Sequence, residues 1–395
     1  MSNDAPILLD ITRLLWRRWI GRYPTGIDRV CLAYLRHFEG QAQAVIQHRR
    51  MRRILGRKAS AALFALLADP RPRIRLGLIA SALCFGPGRS AAGRGRIYLN
   101  VGHTGLNEEG FRKWVRKSDV RPVYLIHDLI PITNPEYCRA GEGRKHRERM
   151  RTVLDNAAGL IGNSQATLDA FERFARDEGK PMPPSVPALL GTDLLPAATA
   201  TGGNGPPTFI TLGTIEARKN HILLLRVWQR LVRELGSRAP RLSIVGQRGW
   251  EAEPVFEILD RDSSLRGHVE ELNGCSDRDI AQHLGSARAL LFPSLAEGYG
   301  LPMIEALGAG VPVIASDLPV FREIAEDIPD YLDPGDESRW EAAIMDYAAD
   351  GSRARAAQLR RIERFSMPGW PHHFEVVERW LATIPARVSS DPTGS

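Results

Sequence analysis

Cysteine is scarce in this chain, with four in 395 residues: Cys31, Cys84, Cys138 and Cys275. They form no CxxC pair and no histidine stands at metal-ligand spacing from them, which argues against a disulfide framework and against a structural zinc. Long apolar runs are lacking as well. The longest nearly uncharged one, residues 76–86, falls well short of the ~18–20 residues that cross a bilayer. The opening residues, MSNDAPILLD, carry no basic stretch and no small-residue cleavage pattern, so the protein is expected in the cytoplasm. A GxSxG elbow, a P-loop and zinc spacing are all missing.

Positive charge is plentiful. The net charge is +7, and between His48 and Arg96 twelve Arg or Lys face one acid, Asp69, a local balance of +11 that exceeds the whole chain's. Such a balance invites anionic partners. Two apolar pieces, AALFALLA at 61–68 and LGLIASALCF at 76–85, alternate with the arginine clusters. They suit amphipathic helices on an anionic membrane surface, and equally a solvated basic insertion beside ordinary core helices. Nucleic acid is not expected as a partner, because the segment has no interleaved aromatics.

The length suits two domains at roughly 150 residues each, and 43% apolar with 25% charged residues is an ordinary globular composition. Short aliphatic runs alternate with helical patterns, the signature of βα units building parallel sheets. In the first half, strands are predicted at Ile7–Ile11, Ala44–Gln47, Ile97–Val101, Val123–His127, Gly159–Gly162 and Val186–Leu190, with a helix at Ile27–Phe38. In the second, they are predicted at Phe209–Leu212, Leu242–Val245, His268–Leu272, Ala289–Phe292, Val313–Ala315 and Tyr331–Leu332. The division expected is a domain over 1–195, a Gly/Pro/Thr-rich linker at 196–207 and a second domain over 208–369. A helix at 370–388 is expected to pack back on the first domain, and 389–395 to be a disordered tail.

The strongest local pattern is ALLFPSLAEGYGLPMIEALGAGVPVIAS, residues 289–316, which reads strand, loop, helix, turn, strand. The loop leaves the carboxyl end of a parallel strand, where open α/β sheets bind ligands. Gly298 and Gly300, flanking Tyr299, let backbone amides approach a ligand. Pro302 suits a first helical turn, so the amides near Leu301 lie at the positive end of that helix, suited to phosphate. Glu297 in the loop and Glu305 on the helix can accept paired hydroxyl hydrogen bonds. A glycine-bracketed loop with an acid on each flank fits a diphosphate bearing a polyol at each end, the shape of a nucleotide sugar.

A second pattern, TFITLGTIEARKNH at 208–221, turns at Gly213 and places Arg218 and Lys219 just before a helix. Two cations there can neutralise a diphosphate leaving group. Weaker patterns occupy the first half. LIHDLIP ends a strand with His127 and Asp128. PTGIDRV opens a helix at Gly26, with Asp28 or Arg29 able to cap it. GNSQAT carries Ser164 at a helix start, also a capping position. Two DxD triplets, at 260–262 and 277–279, follow no convincing strand edge, and Asp277 fits the start of a helix, so no metal and no cofactor is expected.

The segment EGYGLPMIE, Glu297 to Glu305, resembles the E-x7-E signature of glycosyltransferase family 4. That resemblance implies an α/β GT-B fold, two Rossmann-like domains with a cleft between them, and retention of anomeric configuration. It implies that Glu305 holds the ribose hydroxyls and Glu297 the donor sugar, and that Arg218 and Lys219, in a GTxxxRKN-like segment, bind the donor diphosphate. It places His127 near the reaction centre and the Gly26 loop near the diphosphate and acceptor. TGIDRV together with HDLIP looks most like bacterial polysaccharide mannosyl- or rhamnosyltransferases, which implies GDP-mannose as donor ahead of UDP-sugars and a lipid-linked saccharide as acceptor. The basic stretch at 48–96 aligns with no family motif. The rival expectations are a sugar-nucleotide epimerase, a silent nucleotide-sugar-binding module and a nucleic-acid-binding protein.

Overall fold

A strand buried on both faces reads as an unbroken aliphatic run, and such runs pair in parallel when helices cover both faces of the sheet. In the computed structural model, which describes residues 6–21, 25–48, 51–69, 93–193, 195–196 and 205–385, they build two sheets. Contacts divide the chain into two units: residues 1–127, 144–190 and 370–395, and residues 128–143 and 191–369.

The first unit holds β1 (Ile7–Asp10), β2 (Ala42–His48), β3 (Met51–Ile54), β4 (Ile97–Asn100), β5 (Arg121–Ile126), β6 (Gly159–Gly162) and β7 (Ser185–Pro187), in the order β3-β2-β1-β4-β5-β6-β7. All its pairs are parallel except the β2–β3 hairpin. Helix Trp370–Leu381 also belongs to this unit. Its His373 donates from Nδ1 to the Leu189 carbonyl at 3.0 Å, and so accepts the Tyr34 hydroxyl at Nε2, 2.9 Å away. Phe374 stacks on His37 with ring centroids 3.8 Å apart.

The second unit holds β8 (Thr208–Leu212), β9 (Arg241–Val245), β10 (Val269–Leu272), β11 (Leu290–Phe292), β12 (Val313–Ser316) and β13 (Asp330–Leu332), all parallel, in the order β10-β9-β8-β11-β12-β13. This is the dinucleotide-fold order 3-2-1-4-5-6, whose direction of winding reverses between β8 and β11. The loops after those two strands therefore diverge at the carboxyl edge and leave a crevice. Beneath them Trp228 and Trp340 are fully buried. Each satisfies its indole N–H on a backbone carbonyl, Pro240 at 2.8 Å and Asp333 at 2.9 Å.

Two elements depart from the sequence expectation. Helix Thr12–Trp19 is additional; it buries Leu14 and Leu15 but exposes Trp16 and Trp19, so its apolar residues make no single stripe. β3, with sequence MRRI, hides inside the basic stretch because an edge strand tolerates arginine. The apolar piece at 61–68 lies in helix Arg57–Ala68, which buries Leu63, Phe64 and Leu67 in the protein core; Ser60 on the same face receives the Ala44 amide at 2.9 Å. Its large apolar side chains are thus covered by protein, while Ala61, Ala62 and Ala65 are exposed. The piece at 76–85 and the tail at 389–395 lie outside the described residues.

Candidate functional site

At the crevice between β8 and β11, the first loop carries Glu216, Arg218 and Lys219 and the second carries Ser294 and Glu297. The loops are joined through the backbone, the Leu295 amide donating to the Arg218 carbonyl at 2.7 Å. Arg218 donates from Nη1 to Glu297 Oε2 at 2.8 Å and to the Ala296 carbonyl at 3.2 Å, while its Nη2 meets Glu216 Oε1 at 2.6 Å. Lys219 Nζ meets the other oxygen of Glu297, which also accepts the Ser294 hydroxyl at 2.8 Å. The Lys219 ammonium sits 4.7 Å from the centre of the Phe292 ring, a cation–π contact.

These groups are buried and tightly coupled. Burial alone pushes the Glu297 carboxyl up, but Arg218 and Lys219 overcome it and bring the pKa down to about 2. Burial pulls Arg218 down, and the charges of Glu297, Glu216 and Asp128 more than offset it. Lys219 is lowered, burial and neighbouring Arg218 prevailing over Glu297. Glu216 is raised by burial despite its cationic neighbours, and its Oε2 has no hydrogen-bond partner. Two cations and two carboxylates thus converge on one crevice, and an incoming dianion can take Glu297's place on Arg218 and Lys219.

Glycines give the loops their shape. Gly213, at φ +132°, ends β8, and a Cβ there would lie 3.4 Å from the Lys219 side chain. Gly300, at φ +110°, caps helix Leu301–Gly308, and a Cβ there would come within 2.7 Å of the Phe321 ring, itself stacked on Phe292 at 5.2 Å. Tyr299 is buried beside it, and Leu301 offers one of the amides that a helix start leaves without an intrahelical acceptor. Gly298 lies in the loop, and Glu305 lies a turn along the helix, buried.

The structure thus brings together Gly213, Arg218, Lys219, Glu297, Gly298, Tyr299, Gly300, Leu301 and Glu305 within the second unit, on two loops and one helix. The HD pair is divided: Asp128 goes with this unit and His127 with the first. Gly26 and Ser164 also lie in the first unit. Gly26 opens helix Gly26–Phe38, where Asp28 accepts the Thr25 amide in a capping box and pairs with Arg13 at 2.6 Å. Ser164 is fully buried and accepts the Thr167 amide at 3.1 Å, capping helix Gln165–Asp177. Of the DxD residues, Asp260 pairs with Arg248 at 2.6 Å and Asp279 completes a capping box with Ser276. Sequence reasoning missed Glu216, Ser294 and Phe292; the one available signal was the position of Glu216, two residues before Arg218 in the same motif.

Residues 201–361 match the family described as glycosyl transferases group 1. The chain is 31% identical over 220 residues to the serotype-specific mannosyltransferase WbdA of Escherichia coli, a match taking in 52% of this chain and 27% of WbdA. It is 29% identical over 264 residues to O-antigen chain mannosyltransferase B of Escherichia coli, taking in 63% of this chain and 67% of that protein. The match thus spans about a quarter of the length of WbdA and two thirds of that of mannosyltransferase B. Among solved structures, Anabaena HepE in complex with UDP and glucose is similar with a TM-score of 0.67 at 16% identity, over 96% of this chain and 100% of HepE. The fold is accordingly GT-B, built of two Rossmann-like α/β units, and the stretch that matches the group 1 glycosyl transferases carries Arg218, Lys219, Glu297 and Glu305.

Proposed function

We propose that the chain is a nucleotide-sugar-dependent glycosyltransferase of bacterial polysaccharide biosynthesis, transferring mannose from GDP-mannose to a lipid-linked or oligosaccharide acceptor with retention of configuration. The observation that carries this reading is the convergence of Arg218, Lys219 and Glu297 at the β8–β11 crevice, beside the start of helix Leu301–Gly308. Negative charge grows on the diphosphate as the glycosidic bond breaks, and both cations and the Leu301 amide are placed to stabilise it. Losing one such donor costs roughly 10²-fold in rate. The donor diphosphate takes Glu297's place on the cations, which frees that carboxylate for the sugar hydroxyls, while Glu305 holds the ribose. His127 shapes the pocket of the reacting sugar, with the loops at Gly26, Asp128 and Ser164 serving the acceptor or phosphate. The leaving phosphate accepts the acceptor's proton, and no metal or cofactor is required. The similarity to two O-antigen or serotype-specific mannosyltransferases supports mannose ahead of other sugars.

The same reading puts the protein in the cytoplasm at the inner membrane face, its basic 48–96 segment against anionic lipid. Exposed Arg57 and Lys58 on helix Arg57–Ala68, and exposed Trp16 and Trp19 on helix Thr12–Trp19, support that placement. Among the described residues no helix is long and apolar enough to cross a membrane.

The test is nucleotide release by purified protein from a panel of GDP- and UDP-sugars, with and without lipid-linked saccharide, in EDTA. Acceptor-dependent GDP release from GDP-mannose is expected. Release from a UDP-sugar instead would replace the donor, and failure to bind any nucleotide sugar would overturn the proposal.

A further inference from the structure

Two carboxylates hold Arg218, and they hold it differently. Arg218 Nη1 meets Glu297 Oε2 at 2.8 Å and the Ala296 carbonyl at 3.2 Å, while its Nη2 meets Glu216 Oε1 at 2.6 Å. Glu297 is shared, because its other oxygen takes the Lys219 ammonium and the Ser294 hydroxyl. Glu216 uses one oxygen only: the second is buried and accepts no hydrogen bond among the described residues. A buried oxygen left in that state is costly, and it persists where the chain around it fixes the side chain.

The backbone around Glu216 is pinned on both sides. The Ile215 amide donates to the Gln247 carbonyl and the Gly249 amide to the Ile215 carbonyl, both at 2.9 Å, which ties this loop to the turn after β9. The Lys219 amide closes back on the Glu216 carbonyl at 3.0 Å. Gly249 permits the approach, since a Cβ there would come within 2.6 Å of the Thr214 side chain and 2.9 Å of the Ile215 carbonyl. Environment then separates the two acids. Burial pushes both carboxyls up; at Glu297 the two cations overcome it and bring the pKa to about 2, whereas at Glu216 burial prevails and the pKa is raised. Glu297 is thus the stronger counter-charge, and Glu216 the weaker anion, which grips Arg218 while leaving its charge for a ligand.

We propose that Glu216 is a positioning residue for Arg218: its hydrogen bond to Nη2 keeps the guanidinium aimed into the crevice while the partner of Nη1 changes from Glu297 to the diphosphate of the donor. Without that hold, a guanidinium released by Glu297 would swing among rotamers, and its alignment with the charge growing on the leaving group would be lost. This rests on the proposed function, in which the diphosphate takes Glu297's place.

The test compares Glu216→Gln with Glu216→Leu. Both remove the same charge, but only glutamine keeps an oxygen to accept from Nη2. With the fold checked by circular dichroism, kcat of the Gln variant should stay within about threefold of wild type, and that of the Leu variant should fall about tenfold to a hundredfold, with KM changing less. Calorimetric affinity for inorganic diphosphate should be about fivefold weaker in Leu than in Gln. In an Arg218→Ala background the two substitutions should differ by less than about twofold in both measurements. If the Leu variant does not fold, Glu216→Ala, which also lacks the acceptor, takes its place. A Leu variant equal to Gln, or a difference that persists without Arg218, overturns the positioning role. If no nucleotide sugar supports transfer, the proposed function fails while the diphosphate affinities still decide Glu216; if wild type binds no diphosphate, both fall.

Discussion

Glu297 holds Arg218 and Lys219 with opposite oxygens, Oε2 on the guanidinium at 2.8 Å and Oε1 on the ammonium. The crevice therefore contains its own anion, Glu297, held between the two cations. Glu297→Gln should leave buried Lys219 short of a counter-charge and cost ~3–5 kcal/mol in the ligand-free protein. Inorganic diphosphate should restore more of the melting temperature in this variant than in wild type, and bind it about tenfold more tightly by calorimetry. Equal affinity would mean that Glu297 does not occupy the anion's position.

The same carboxylate gives stability a defined dependence on acid. Its pKa is about 2 against an ordinary 4.5, so its contribution is complete above about pH 4.5 and disappears as pH falls toward 2. Thermal melts of Glu297→Gln should flatten over that window relative to wild type; parallel curves would remove Glu297 as the titrating group.

His221 opens helix His221–Leu235 with neither ring nitrogen hydrogen-bonded, and burial, aided by Lys219, brings its pKa down to about 3. A histidine kept neutral when folded stabilises fully above its ordinary pKa of 6.5, and this is lost as pH falls toward 3. His221→Leu should preserve neutral-pH stability within ~1 kcal/mol, because no hydrogen bond is forfeited. It should also lose about one proton's worth of slope in stability between those limits, measured by urea melts across pH.

Gly300→Ala forces a Cβ against the Phe321 ring at φ +110°. A loss of ~1–3 kcal/mol is expected, together with weakened nucleotide binding because the Leu301 amide moves. Unimpaired calorimetric affinity for GDP and UDP would show that the helix start takes no part in binding.

Glu305→Ala should reduce transfer by at least about 10²-fold while the protein still folds, as read by circular dichroism. Normal turnover would remove Glu305 from the site.

The cluster in the second unit was legible because its pattern is local. EGYGLPMIE and GTIEARKNH each compress a strand end, a glycine turn, charged groups and a helix start into about ten residues, and the two strands concerned turned out to flank the winding reversal. What escaped was side-chain direction: nothing in spacing says that Glu216 turns inward to Arg218 or that Phe292 lies beneath Lys219. Likewise HD at 127–128 was visible, but His103, whose ring meets that of His127 edge to face at 5.3 Å, sits 24 residues upstream in VGHTG, and only strand adjacency brings the rings together. The helix at Thr12–Trp19 and strand β3 were hidden for another reason. Their arginines and outward tryptophans break the periodicity by which elements are recognised.

The four edge strands of the two sheets share a property that bears on survival during synthesis. β3 reads MRRI, β7 SVP, β10 VEEL and β13 DYL: each is short, and each carries arginines, a proline or acids where an unpaired ladder would otherwise recruit another chain. Parallel sheets form slowly, since their pairings are distant in sequence, so a nascent chain passes through a period with unfinished edges. Replacing Arg52 and Arg53, or Glu270 and Glu271, by valine would strip that protection and turn the unfinished sheet into a seed for inclusion bodies.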